Sequence, residues 1–196
     1  YSNGAFTSPD IPQLLNFFDD ISIEITYPLE NFDSIYKVIS NLKGNSVKKM
    51  KIIISISNTK EMGTRFRNND KINTVIVDST VTQISANAFS SCTSLSQVLI
   101  SSSITKIHYS AFDGCKSLSQ VLFELPSSLL TINNYAFKGC LSLSEMTIPD
   151  SVKTIGDGAF MGCMSLTQLN LPKEVEKIGT NSFSNCKNLT KIEVPN

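Results

Sequence analysis

Charge is what this sequence has little of. Charged side chains make up 17% of its 196 residues, and its 17 basic and 17 acidic residues cancel, whereas ordinary soluble domains carry roughly 25%. Without a basic surplus there is no electrostatic footprint for a phosphate backbone, so nucleic acid is not an expected partner. Ser, Thr and Asn fill surface positions instead, giving a surface that is polar without being strongly ionic. Long apolar runs are missing as well. Ile52, Ile53 and Ile54 form a strand-sized cluster, far short of the ~20 residues of a membrane-spanning helix. No glycine loop suited to cradling phosphate, no Cys-x-x-Cys pair and no nucleophile at a meaningful spacing from a base stands out. The chain is therefore expected to be no enzyme and to need neither metal nor cofactor.

What the sequence does have is a period. Its five cysteines stand at 92, 115, 140, 163 and 186, spaced by 23, 25, 23 and 23 residues, each three residues after a Phe and three before a Leu. The surrounding units read AFSSCTSL, AFDGCKSL, AFKGCLSL, AFMGCMSL and SFSNCKNL, beginning at Ala88, Ala111, Ala136, Ala159 and Ser182. Phe66, with Asn69 in the cysteine place and Ile72 in the leucine place, adds a degenerate sixth motif. Self-similarity at this period marks a solenoid, in which each unit buries its apolar face only against its neighbours.

Within a unit, Met146, Thr147 and Ile148 alternate in, out, in, the period of a short strand, and Pro149 ends it. Matching inward pairs are Val75 and Val77, Val98 and Ile100, Val121 and Phe123, Leu169 and Leu171, and Ile192 and Val194. Stacked one unit apart, these strands predict a parallel ladder rising about 4.8 Å per step. The remainder of each unit is too short for a helix with its loops, so irregular or 3₁₀ backbone is expected on the outer side. Ser85, His108, Asn133, Gly156 and Gly179 form a column rich in residues that tolerate positive φ, which predicts a left-handed turn there and makes His108 a turn residue rather than a catalyst. The phenylalanines read as core. For the cysteines, a metal site lacks histidine partners and a disulfide framework conflicts with the odd count, which leaves a ladder of reduced, buried thiols as the favoured reading.

The pattern L-x-x-V-x-I-P-x-S-V-x-x-I-G-x-x-A-F-x-x-C, recurring across roughly residues 50 to 196, resembles the BspA-like, Treponema-pallidum-type class of leucine-rich repeats. The resemblance implies a surface-exposed or secreted protein, of a bacterium or a parasitic protozoan, acting in adhesion to host matrix or cell-surface proteins. The unit starting at Leu118 departs from the pattern, with two extra residues near Glu124 and Leu125 that should bulge the loop after its strand.

Residues 1–50 do not share the repeat. Ser8 and Pro9 predict a helix start with Ile11, Leu14, Leu15, Phe18 and Ile21 as its stripe, and Asp19 and Asp20 as charges at its end. Ile23 and Ile25 predict a strand closed by Pro28, a second helix is expected over Asn31 to Leu42, and a further strand over Lys51 to Ile56. The expected architecture is thus an α/β-type solenoid: a right-handed leucine-rich-repeat coil over residues 51–196, continuous with an amino-terminal strand-helix-strand cap over residues 1–50. No comparable cap follows Val194, so further repeats or association through that end is expected.

Function is then expected on the concave face of the ladder. Outward mid-strand positions read Ile53, Ile76, Leu99, Leu122, Thr147, Asn170 and Glu193, flanked by Thr74, Gln97, Gln120 and Glu145. If exposed, the four aliphatics form an apolar strip with a polar border, the anatomy of a surface that binds proteins. The alternative is that the amino-terminal segment folds over them. The candidate contact residues are accordingly Ile76, Leu99, Leu122, Gln97, Gln120, Glu145, Thr147 and Asn170. A recognition module at the cell surface, or secreted, is the leading reading. A cytoplasmic scaffold that self-associates end to end is the other, and glycosylation of the sequon at Asn188, Leu189 and Thr190 would favour secretion.

Overall fold

Two β-branched or apolar residues per strand, separated by one polar or outward residue, are enough to commit each unit to a rung, because the next rung supplies the hydrogen bonds that a lone short strand lacks. The computed structural model describes residues 20–28, 49–57, 63, 64, 66–77 and 79–194. Its strands are β1 (Asp20–Pro28), β2 (Lys49–Ser57), β3 (Ile72–Val77), β4 (Gln83–Ile84), β5 (Gln97–Ile100), β6 (Lys106–Ile107), β7 (Gln120–Phe123), β8 (Thr131–Ile132), β9 (Thr154–Ile155), β10 (Gln168–Asn170), β11 (Lys177–Ile178) and β12 (Lys191–Glu193). All pair in parallel. They form one ladder ordered β1-β2-β3-β5-β7, a second ordered β4-β6-β8-β9-β11, and a separate pair β10-β12.

Of the predicted inward residues, Val75, Val77, Val98, Ile100 and Val121 of the first ladder are buried, as are Met146, Ile148 and Leu169 beyond it; Phe123 and Leu171 are half-buried, and Ile192 and Val194, at β12 where pairing is to β10 alone, are exposed. The second ladder has no counterpart in the sequence reading. Its strands are two residues long; in β4, β6, β8 and β9 one residue faces out and one in, with Ile84, Ile107, Ile132 and Ile155 completely buried, whereas both residues of β11 are exposed. Between the ladders the backbone runs as successive turns. Ala88 N donates to Ser85 O at 3.2 Å, Cys92 N to Phe89 O at 3.1 Å and Leu95 N to Cys92 O at 3.1 Å, while Phe89 N reaches across to Ala111 O of the next rung at 2.8 Å.

The described residues do not support the α/β description. None of the described residues is helical: a turn of 23 residues that already contains two strands and their corners has no length left for a helix. The strands expected in the amino-terminal segment are present, but β1 begins at Asp20, so Asp20 and Ile21 pair with Lys49 and Met50 rather than ending a helix. The alternation Ile21, Ile23, Ile25 continues unbroken into that strand, and period two prevails over the helical spacing. Most of the first expected helix and all of the second lie outside the described residues.

A second correction concerns the turns. The column Ser85, His108, Asn133, Gly156 and Gly179 is not left-handed; positive φ falls two residues later, at Asn87 (57°), Ser110 (50°), Tyr135 (59°), Gly158 (57°) and Asn181 (56°), and again just before each cysteine. Glycine at 156 answers to crowding instead. A Cβ there would lie 2.4 Å from Asn134 N and 2.6 Å from Asn133 C of the preceding rung.

The core itself is a stack of rings. Phe66, Phe89, Phe112, Phe137, Phe160 and Phe183 lie 5.2 to 5.6 Å apart, centroid to centroid, with planes within 10° of one another. All but Phe183 are fully buried. Offset stacking of this kind adds to the area each ring removes from water. Phe112→Ala is expected to cost about 3 to 5 kcal/mol in equilibrium urea unfolding, and Phe183→Ala, at a partly buried site, clearly less.

Candidate functional site

Consecutive rungs in strict register turn one outward residue per unit into a continuous row. Ile53, Ile76, Leu99 and Leu122 are direct partners across β2, β3, β5 and β7, and Thr74, Gln97 and Gln120 form the adjacent row. Ile76 and Leu99 are half-buried, while Leu122 is 44% exposed. Gln97 Nε2 donates to Gln120 Oε1 at 2.8 Å, so the polar border is itself a ladder. Glu145, Thr147 and Asn170 are exposed, and Thr147 bridges to Asn170, which pairs with Glu193. The structure therefore brings together seven of the eight candidates: Ile76, Leu99 and Leu122 in one row, with Gln97 tied to Gln120 beside it, and Thr147 with Asn170 in a second group.

A break separates the groups. The first ladder stops at β7 and is not hydrogen-bonded to residues 145–148, although the second ladder passes the same level without interruption through β6, β8 and β9. The two-residue insertion is what differs here. Glu124 N still donates to Ile100 O at 2.9 Å and Ser128 N to Ser102 O at 3.1 Å, but the segment between them swings out and leaves Leu125 77% exposed. The expected bulge is present, and beside it the strands part to form a cavity of about 430 Å³. Gln120, Leu122, Glu145, Thr147 and Asn170 line it, as do Phe123, Leu125, Pro149 and Gln168, which the sequence reading did not select. The irregular 25-residue spacing was the signal that would have pointed to them.

The other chemistry-bearing side chains are structural. The five cysteines are buried and none is joined in a disulfide. Each donates its thiol to the carbonyl of the Phe one unit earlier: Cys92 to Phe66 (2.9 Å), Cys115 to Phe89 (3.1 Å), Cys140 to Phe112 (3.3 Å), Cys163 to Phe137 (3.2 Å) and Cys186 to Phe160 (3.1 Å). In the degenerate motif Asn69 does a different task, its Oδ1 accepting from Lys71 N at 2.9 Å and Ile72 N at 3.1 Å at the entry to β3. His108 Nε2 lies 2.7 Å from Gln83 Oε1, one rung back. Asp157 joins its neighbours similarly, its N–H donating to Asn134 Oδ1 and its Oδ1 accepting from Thr180 N at 2.8 Å. Burial raises the carboxyl of Asp113 against the pull of Lys138 and Arg67, and the hydrogen bond from Lys173 lowers that of Asp150. Among the described residues no three His, Cys, Asp or Glu side chains converge as metal ligands, and no helix is long and apolar enough to cross a membrane.

A family model described as the BspA type leucine rich repeat region matches in six copies, over residues 21–124 and 120–196. Among solved structures the chain is similar to the leucine rich repeat protein of T. pallidum, with 30% identity, a TM-score of 0.57 and coverage of 61% of this chain and 68% of that one. It is also similar to a leucine rich cell surface protein of Faecalibacterium prausnitzii, with 26% identity, a TM-score of 0.63 and coverage of 77% of this chain and 42% of that one. A pneumococcal vaccine antigen shares the fold at 20% identity, with a TM-score of 0.57 over 76% of this chain and 39% of its own. The chain thus spans less than half of the latter two. No curated protein matches it.

The thiol row gives the array a definite response to alkali. Burial, reinforced by neighbouring cysteines, pushes Cys115 and Cys140 well above the ordinary thiol range and Cys163 up to about 12. Above roughly pH 8.5 the unfolded chain releases these protons while the folded chain keeps them. Stability is therefore unaffected below that pH and falls as pH rises toward the folded values, by up to about 1.4 kcal/mol per unit for each buried thiol. Urea unfolding at pH 7 and pH 10 is expected to show this loss, and Cys140→Ala, whatever its stability at pH 7, is expected to lose less between the two.

Proposed function

This chain belongs to the BspA type leucine rich repeat family, and from that premise we propose that it is a non-catalytic recognition module that binds a protein ligand through the open face of its first ladder. Repeats of this family typically serve protein–protein interaction. The observation that carries the reading is the row Ile76, Leu99 and Leu122. In an array whose inward columns are almost completely buried, it presents aliphatic side chains at regular strand positions, with Leu122 exposed and a hydrogen-bonded glutamine border beside it. An apolar row flanked by polar side chains is how a protein contact is usually arranged, with water excluded at the centre and hydrogen bonds at the rim.

The proposed location is the cell surface or the extracellular space, and the proposed ligand a host matrix or cell-surface protein. The cell surface protein of F. prausnitzii, similar at 26% identity, supports this placement, as does the polar, weakly charged composition. Self-association and intracellular scaffolding are the outcomes that would displace it.

Antibody labelling of intact cells of the source, compared with permeabilised cells, is expected to give signal on the intact ones. Binding of the purified chain to an array of matrix proteins is expected to weaken at least about tenfold in a Leu99→Ser, Leu122→Ser variant. Unchanged binding by a variant that has lost only stability would overturn the interface, and labelling confined to permeabilised cells would overturn the location.

A further inference from the structure

We propose that the break between β7 and residues 145–148 is a docking site for an extended peptide segment carrying a basic side chain, which pairs with the open edge of β7. The proposal rests on the recognition reading and specifies how the ligand is held.

Backbone direction carries the argument. In a parallel ladder, alternate residues turn their N–H and C=O to opposite neighbours. Gln120 N donates to Ser96 O at 3.2 Å and Glu124 N to Ile100 O at 2.9 Å, so the even-numbered residues of β7 serve β5. The N–H and C=O of Val121 and Phe123 therefore face the cavity. On the far bank, Leu171 N donates to Glu193 O at 2.9 Å, which turns Asn170 back onto the Thr147 segment and leaves the N–H and C=O of Thr147 facing β7. Among the described residues, no backbone hydrogen bond crosses between β7 and residues 144–148. Elsewhere in the first ladder the residue after a strand closes the rung with its N–H, as Ser101 does to Val77 O at 3.1 Å and Glu124 to Ile100 O. At this level that position is Pro149, which has no N–H to give.

Two banks of unpaired donors and acceptors thus line a cavity of about 430 Å³. An extended main chain presents its own groups at the two-residue repeat this edge offers, which is the mode of strand addition. The four residues of β7 span about 13 Å, so a segment of about six residues covers the edge. The side chains refine the ligand. Leu122 and Leu125 supply an apolar wall, and Glu145 is the one charged residue of the lining and has no ion-pair partner among the described residues. A basic side chain beside an apolar one complements that arrangement.

The test uses the whole chain, ¹⁵N-labelled, titrated with an acetylated and amidated hexapeptide in which valine alternates with threonine and lysine. Amide shifts are expected at Val121, Phe123, Glu145 and Thr147. Methylating the alternate peptide nitrogens that face β7 should weaken binding at least about tenfold, as should Glu145→Lys. In the free chain, the amides of Val121 and Phe123 should exchange far faster than those of Val98 and Ile100. Equal protection would mean that the ladder is closed and would overturn the proposal, as would absence of shifts at millimolar peptide or indifference to N-methylation. Any of these results, with matrix binding that still depends on Leu99 and Leu122, removes the cleft and spares the recognition reading. The recognition reading falls on its own if that double variant binds matrix as the parent does.

Discussion

Everything in this molecule depends on one constraint: each group must find its partner at the same place in the next turn of the coil. A two-residue strand has no stability of its own, and the phenylalanine rings stack on those of the neighbouring units. Both become stable only when the unit above repeats them. The stacked rings, the isoleucines of the second ladder and the turn amides that bond from Phe89 to Ala111 and onward are all contacts between units rather than within them. The surface obeys the same rule: Lys153 pairs with Glu176 at 2.9 Å and Lys173 with Asp150 at 3.2 Å, each one rung apart, though such exposed pairs add little.

How much of this was legible followed from how often a feature repeats and how long it is. The phenylalanine, cysteine and leucine columns were plain because bulky, chemically distinct residues recur at fixed spacing, and the inward pairs of the first ladder showed through strict alternation. The second ladder was not legible, because two residues have no period to detect. The glycine column was misread: Gly156 stands there to let the Asn133–Asn134 backbone pass closely, not to permit positive φ, and one sequence signal serves both needs. The helix expected to run into Ile21 does not reach it, because its apolar spacing overlaps a strand that begins at Asp20.

The candidate face divides in the same way. Its rows could be read because register converts sequence columns into surface lines, which is why Ile76, Leu99 and Leu122 align as expected. The cavity could not, because it arises where register fails. Leu125 and Phe123 line it only because the loop between Glu124 and Ser128 leaves the coil, and a departure of backbone path is not written in any residue type. The insertion was visible, but not its effect on the strand that follows.

The thiol row has a consequence for how such a chain can change length. Each cysteine thiol donates to a carbonyl one unit earlier, so an interior rung is both host and guest of identical partners. A whole rung removed or duplicated leaves every such junction as it was, and the array behaves like a counter that accepts only integer steps. Fractions of a step are admitted at one kind of place, a corner where the surplus residues can leave the coil, and the cost is a local parting of strands. Lengthening by whole units yields more of the same surface; lengthening by two residues yields a new one.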